Sequence, residues 1–502
     1  MGILRKDAVK TTLISYIGLV FGYVNKGVLF ILFFSTEQIG LVNLLLSVGL
    51  LFAQLSNLGF INTVWRFSPF FRNDTKGNYG FLKFSFKLVF LGCIIFSILS
   101  IVLRSEIVSL YSEKSILFVN YFYWIIPIGV ANVFFLVAET FLRGLSQNTI
   151  SVFVNEFIHR IFLTILLFLF GFKIISFELF IVLFALSYFI PTITLIAFLV
   201  KIRELKGFTK KSNISKKFQN ILYSYSAFSY INSLGAIVVI TMDTMMIASF
   251  LGLKETGVYS TILYLISALQ IPNRSILRVG TSLVAKYWKE KNMLKMKDLY
   301  KKVSSISLLI SLYLFLIIWI NIIDLFSFLP NEYEAGIYTF LFFMIGKLVD
   351  IYMGLNGIIF ITSKKYKYDI IFTTTLLIVV FVLNLYLIPK FGIVGAAIST
   401  SIALIIYNVG RMLFVWKWYN IHPFEKHQLY IVLLFLFILI LFKLPLNLDF
   451  NKYINIIMNS LLITLIYFGT IIKLKWNQDL NKYIDNLIIK FKNISLNKVR
   501  KG

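Results

Sequence analysis

Reactive side chains are scarce in this chain. A single cysteine, Cys93, occurs in 502 residues, which excludes an intrachain disulfide and with it an oxidised secreted scaffold. Its place in an apolar run gives it a packing role. The three histidines, His159, His422 and His427, make no metal set with that cysteine, and no glycine loop of the G-x-x-x-x-G-K type is present to cradle a phosphate. Charged residues amount to 14%, against about 25% in water-soluble domains. Acidic ones are the scarcer kind, 22 against 49 basic, for a formal charge of +27. In a soluble protein that excess would point to nucleic acid. Here 59% of residues are hydrophobic, so lipid must be the solvent over most of the length, and nucleic acid is not an expected partner.

An apolar helix needs about 20 residues to cross the hydrocarbon core. Runs of about that length lie at 11–34, 39–65, 81–103, 115–142, 149–170, 178–200, 219–250, 256–285, 303–325, 335–362, 369–388, 391–416, 428–446 and 453–472. The first is longer than a signal-peptide core and no small-residue cleavage site follows it, so it is expected to stay as a span. The pattern predicts an all-α polytopic membrane protein of about 14 transmembrane helices. Its parts are an N-terminal six-helix bundle over 1–200, a basic cytoplasmic linker over 201–218, a second six-helix bundle over 219–417, two further helices over 428–472 and a basic amphipathic tail over 473–502. In the tail Leu480, Ile484, Leu487, Ile488 and Phe491 recur at helical spacing among lysines, as in a helix lying on a membrane surface.

Basic residues sort by side. With this layout about 36 lie on the side of the N-terminus and about seven opposite, which puts both termini in the cytoplasm by the positive-inside rule. The connections are short, so no large extramembrane catalytic domain is expected on either face.

An internal repeat appears when the first and seventh spans are compared. FFSTEQIGLVN, with Gly40 three residues after Glu37, answers SFLGLKETGVYS, with Gly257 two after Glu255. Setting Gly40 on Gly257 sets Lys26 on Asp243. Six spans separate the copies, so both halves enter the membrane in the same direction and are expected to be pseudo-symmetric bundles around a central cavity. The stretch PKFGIVGAAIS from Pro389 reads as a tight turn, with Gly392, Gly395, Ala396 and Ala397 allowing close helix approach.

Taken together, ITMDTMMIASFLGLKETGVYS at the seventh span, LRGLSQNT after the fourth, SNLGFINTVWRF at the end of the second and IPKFGIVGAA before the twelfth resemble the polysaccharide-biosynthesis flippases of the multidrug/oligosaccharidyl-lipid/polysaccharide exporter superfamily. The resemblance covers essentially the whole chain. It implies translocation of an undecaprenyl-pyrophosphate-linked oligosaccharide, a unit of O-antigen, capsule or exopolysaccharide, across the bacterial cytoplasmic (inner) membrane. Expected partners are the lipid-linked oligosaccharide, membrane lipids, and the polymerase and glycosyltransferases of the same pathway, with the chain itself a monomer.

Chemistry then falls to ionisable residues inside spans. Lys, Arg or Asp at a helix centre costs about 2.5 to 3.5 kcal/mol on insertion scales, so six cations facing lipid would be prohibitive. They must face protein or water. Arg160, Arg274 and Lys347 lie near the midplane by helical rise, Arg278 one turn nearer the cytoplasm, and Lys26 and Asp243 nearer the outer side. Arg411 and Glu139 are close enough to the inner boundary to snorkel. A basic lining would hold the pyrophosphate, and Arg274 and Arg278, four apart on one helix face, form the best pair for a guanidinium clamp. Internal pairing is the other reading: Lys347 with Asp350 and Glu156 with Arg160 have the spacing to neutralise each other, and Lys26 with Asp243 would latch the halves. His159 reads as packed rather than titrating. Aromatics such as Tyr121, Tyr123 and Trp124 read as interfacial bulk.

No enzyme constellation is present, and no cofactor is expected beyond a proton or sodium gradient acting through Asp243 or Asp350. The alternatives are a cation-coupled multidrug exporter of the same superfamily, which would be expected to carry a carboxylate where this first span has Lys26, and a membrane polysaccharide polymerase, which would need a larger outer loop.

Overall fold

The computed structural model describes residues 2–71, 80–145, 147–202, 204, 214–442, 451–476 and 481, and every regular element among them is a helix. Among the described residues ten helices are long and apolar enough to cross a membrane, eleven if the bent pair Lys216–Gly235 and Ile237–Phe250 counts as one span. Each falls on an expected apolar run. The all-α multi-pass membrane architecture is therefore the one the hydropathy pattern required.

The stretch Tyr366–Tyr419 contains two crossings. Its backbone turns back at Gly392, where φ is 62° and ψ is −142°, a combination open in practice to glycine alone. Gly395 then packs on the preceding arm, so closely that a Cβ there would lie 2.0 Å from the carbonyl oxygen of Leu387. The turn read from PKFG is thus real, and its second glycine is needed for approach rather than for torsion.

Two expected spans come out differently. The 256–285 run is Leu253–Leu269 followed by Ile271–Lys289, broken at Gln270 just ahead of Pro272. Proline lacks the N–H that the helix interior needs but fits the first turn of a new helix, so it sets the break there. The second piece carries Arg274, Arg278, Lys286 and Lys289, and is not among the helices apolar enough to span by composition. The 428–446 run forms a helix of only 16 residues, Lys426–Leu441. Of the basic linker, residues 203 and 205–213 lie outside the described residues, as does the tail from 477 onward apart from 481.

Contacts divide the chain into two compact units, Met1–Leu265 with Thr373–Ser399, and Ile266–Phe372 with Thr400–Gly502. The first is packed around rings: Phe34, Phe118, Phe122, Phe180 and Phe184 are all buried in one cluster. The second buries Val284, Tyr300, Leu355, Phe360 and Val415 together. Large apolar side chains also stand exposed along whole helix faces, such as Ile94, Ile98 and Val102 on Phe81–Val102. In water such faces would drive aggregation; in a bilayer they meet hydrocarbon.

Within the first unit the repeat has a physical counterpart. The helix Thr36–Ser56, opened by a capping box between Ser35 and Gln38, meets Leu253–Leu269 at the two aligned glycines. A Cβ on Gly40 would lie 1.9 Å from the Leu253 carbonyl oxygen, and one on Gly257 would lie 1.9 Å from that of Thr36. The alignment that equates Gly40 with Gly257 also equates Thr36 with Leu253. The contact is reciprocal, as an axis of pseudo-symmetry passing between the glycines demands.

Candidate functional site

In the first unit the deep cations gather where two helices lose their regular pitch. The opening helix Gly2–Val24 continues into a π-helical segment, Asn25–Leu29, and a second one, Val154–Ile158, precedes His159–Gly171. Single π turns inside α-helices mark functional positions more often than chance would place them there. The two helices come together through Gly18 and Gly22, a small-x-x-x-small pair: a Cβ on Gly18 would meet the Glu156 carbonyl oxygen at 2.3 Å. Polar side chains then tie the segments. Asn25 Nδ2 donates to the Arg160 carbonyl at 3.0 Å, and Thr164 Oγ1 donates to Asn25 Oδ1 at 2.8 Å.

Arg160 passes over Gly22, donates to the Gly18 carbonyl and forms an ion pair with Glu156. Both side chains stay partly exposed, at 28% and 27%. Lys26 lies half-buried with its ammonium 5.5 Å from the ring centre of Tyr264, which itself packs on Tyr23 at 4.9 Å. The Tyr264 hydroxyl also sits 3.0 Å from where a Cβ on Gly22 would be, next to the Arg160 guanidinium. Two cations and one carboxylate therefore share a tyrosine-walled patch, a surplus of positive charge at membrane depth. Tyr264, Asn25, Thr164 and the glycine pair were not found from the sequence, although Gly18 and Gly22 at a spacing of four were a legible signal.

Asp243 is buried elsewhere in the same unit. Its carboxylate accepts a hydrogen bond from Tyr259 Oη at 2.7 Å and from Asn384 Nδ2 at 2.8 Å. Asn384 Oδ1 is buried without a hydrogen-bond partner among the described residues. A latch between Lys26 and Asp243 would have to draw the aspartate away from these two donors.

The second unit holds Lys347 and Asp350. Lys347 Nζ lies 3.2 Å from Asp350 Oδ2, and Asn408 Nδ2 donates to Asp350 Oδ1 at 3.0 Å while Asn356 holds the Asn408 carbonyl. The i,i+3 pairing expected from spacing is formed, as is the i,i+4 pair of Glu156 and Arg160. Arg411, expected to snorkel, instead clasps Asp369 through Nε at 2.8 Å and lies 4.1 Å over the Tyr407 ring. The turn at Gly392 makes this possible by returning the chain to the level of Asp369. His159 is buried, 3.2 Å from Ser187 Oγ and edge-on to Tyr188, the packed role expected of it.

Arg274 is exposed on Ile271–Lys289. The packed face of that helix bears Asn273, bonded to Ser307 Oγ at 2.9 Å, with Gly280 and Val284. Its exposed face carries Thr281, Ser282 and Lys286 along with Arg274, and also the apolar Val279 and Ala285. The side chain of Arg278 lies outside the described residues, although its spacing sets it on the face of Arg274.

No family model matches the sequence, and no curated protein sequence matches it. Solved structures do. The chain is similar to the lipid II flippase MurJ in an inward closed conformation, with a TM-score of 0.75 at 15% identity over 93% of this chain and 100% of that one. It is also similar to an inward-facing multidrug resistance MATE family transporter of the MOP superfamily, with a TM-score of 0.62 at 14% identity, covering 82% and 98% of the two chains. A MATE protein in complex with MaL6 gives 0.51 at 15% identity over 83% and 96%. At these identities the likeness is one of fold: the chain shares its architecture with flippases and exporters of that superfamily, as the resemblance read from its motifs implied.

Proposed function

We propose that the chain is a flippase for an undecaprenyl-pyrophosphate-linked oligosaccharide, acting by alternating access in the bacterial cytoplasmic membrane with both termini on the cytoplasmic side. The observation that carries this reading is the exposure of Arg274 on a helix whose outward side also bears Thr281, Ser282, Lys286 and Lys289, with Val279 and Ala285 among them. Hydrocarbon would reject those charges, so that side borders water, and a guanidinium at the edge of water in a low-dielectric surround is suited to a pyrophosphate. Arg278, one turn away, would complete the clamp. Within the second unit Lys347, tempered by Asp350, supplies further positive charge, and within the first unit Arg160 and Lys26 do so beside Glu156 and the Tyr264 ring. The sugars would need only a wet path, and the polyprenyl tail would stay in the bilayer. Polymerase and glycosyltransferases of the pathway are the proposed functional partners, and the chain is proposed to work as a monomer.

Reconstitution distinguishes this from drug export. Proteoliposomes carrying the chain should move a fluorescent polyprenyl-pyrophosphate oligosaccharide between leaflets, read by accessibility to an added quencher, and leave a trapped cationic dye in place. Dye efflux without lipid movement would establish the multidrug alternative, which the MATE-like fold keeps in view.

Resetting the cycle needs a gradient, and we assign its coupling ion, proton or sodium, to Asp243. Its carboxylate is buried within a span and held by Tyr259 Oη and Asn384 Nδ2, and an acidic group at that depth is suited to taking up and releasing a cation. The Asp243→Asn variant should bind the lipid substrate normally and transport at a rate indifferent to imposed proton or sodium gradients. Retained gradient stimulation in that variant would move the coupling role to Asp350.

A further inference from the structure

On the outside of the first unit, three helices leave a groove of about 640 Å³. Phe81–Val102 contributes Lys83, Lys87 and Phe90, Ile125–Gly144 contributes Phe134, and Phe189–Lys201 contributes Ile193. Apart from the two lysines its walls are almost wholly apolar. Ile193 is 62% exposed and Phe90 56%, so the groove opens onto the face that hydrocarbon would cover.

Its length and polarity are those of half a bilayer. Phe189 at one end and Leu199 at the other are ten residues apart on one helix, a rise of about 15 Å, half of a hydrocarbon core of about 30 Å. Lys83 and Lys87 stand together at one end of this run, one turn apart, in the first two turns of their helix. That helix has no acidic residue in its first turn, and a lysine near the positive end of a helix is unfavourable until an anion joins it. Neither ammonium has a hydrogen-bond or ion-pair partner among the described residues. A vacant slot in hydrocarbon would forfeit dispersion contacts along its whole lining, so an acyl chain should occupy it.

We propose that this groove binds one anionic phospholipid from the leaflet on the basic side, its phosphate held between Lys83 and Lys87 and one acyl chain lying along Phe90, Phe134 and Ile193. The site is separate from the cation patch around Arg160 and does not depend on what the chain transports. Two lysines with no partner among the described residues select the charged headgroup, and the apolar walls hold the tail.

The test is native mass spectrometry of the full chain in detergent, titrated with dioleoylphosphatidylglycerol or with dioleoylphosphatidylcholine. The unaltered protein should take up one phosphatidylglycerol with a preference of about tenfold over phosphatidylcholine, as two lysines near a headgroup would give. The double variant Lys83→Gln with Lys87→Gln should bind the two lipids alike. Ile193→Trp, which fills the groove from its exposed rim, should reduce uptake of both while the thermal midpoint in detergent holds. Equal binding by the unaltered protein, or a preference that survives the double variant, overturns the proposal. So does displacement of bound phosphatidylglycerol by an equimolar polyprenyl phosphate, which would give the groove to a carrier lipid.

Discussion

Replacing Arg274 and Arg278 together by glutamine is expected to abolish translocation of the lipid-linked oligosaccharide while the protein still reaches the membrane in normal amount. The two halves of that expectation come from opposite faces of one helix. Packing of Ile271–Lys289 rests on Asn273, Gly280 and Val284, none of which the change touches. Glutamine is nearly as long as arginine and keeps an amide donor, so the exposed face keeps its polar groups and insertion is unaffected. What is lost is charge. A hydrogen bond to an ionised group is worth about 1.5 to 3 kcal/mol, so removing two from a pyrophosphate would weaken its hold by about two to four orders of magnitude. Arg274→Lys with Arg278→Lys should fall between, since an ammonium keeps the charge but not the planar fork. The measurement pairs leaflet translocation in proteoliposomes with quantitative blotting of membranes. Full translocation by the glutamine double variant, at equal abundance, would remove the clamp from the mechanism.

The fold was legible because hydrocarbon imposes a single rule on each span, and apolar run length reports it directly. Gly392 was legible for the same kind of reason: a reversal between two apolar helices must be short, and only a few residue types allow it. Ion pairs three or four residues apart on one helix, Lys347 with Asp350 and Glu156 with Arg160, also follow from local geometry. What the sequence concealed is contact between distant segments. Asn384 reaches Asp243 across 141 positions and Asn25 reaches Arg160 across 135, and polar residues of these kinds occur in many spans. Arg411 misled because depth along a helix says nothing of azimuth; Asp369 waits on the adjacent arm of the same hairpin. The break at Gln270 was hidden by its setting, since Leu269 and Ile271 before Pro272 and Ile276 and Leu277 after it read as one continuous apolar run.

Gly40→Ala and Gly257→Ala should be strongly damaging, and nearly equal to each other. Either new Cβ would stand 1.9 Å from a backbone carbonyl oxygen, that of Leu253 for the first and of Thr36 for the second. A side-chain tip can swing aside; a helical carbonyl cannot without moving its helix. Overpacking of this kind typically costs about 1 to 3 kcal/mol, and here relief requires separating Thr36–Ser56 from Leu253–Leu269 along the line where they touch. Close approach also permits Cα–H···O contacts that lapse on separation. Because the two clashes act on one interface, the double variant should cost less than the sum of the singles: once the first methyl has parted the helices, the second finds room. Gly469→Ala is the control, since nothing lies within 4 Å of a Cβ there and alanine gains about 1 kcal/mol in helix propensity over glycine. Thermal midpoints of the purified proteins in detergent test all four. Should Gly40→Ala melt with Gly469→Ala, the glycines would not be in contact, and the reciprocal pairing that ties the two copies of the repeat would be lost with it. A low midpoint for one glycine alone would break the equivalence of the copies, since a pseudo-symmetry axis between Gly40 and Gly257 requires each to carry the other's clash.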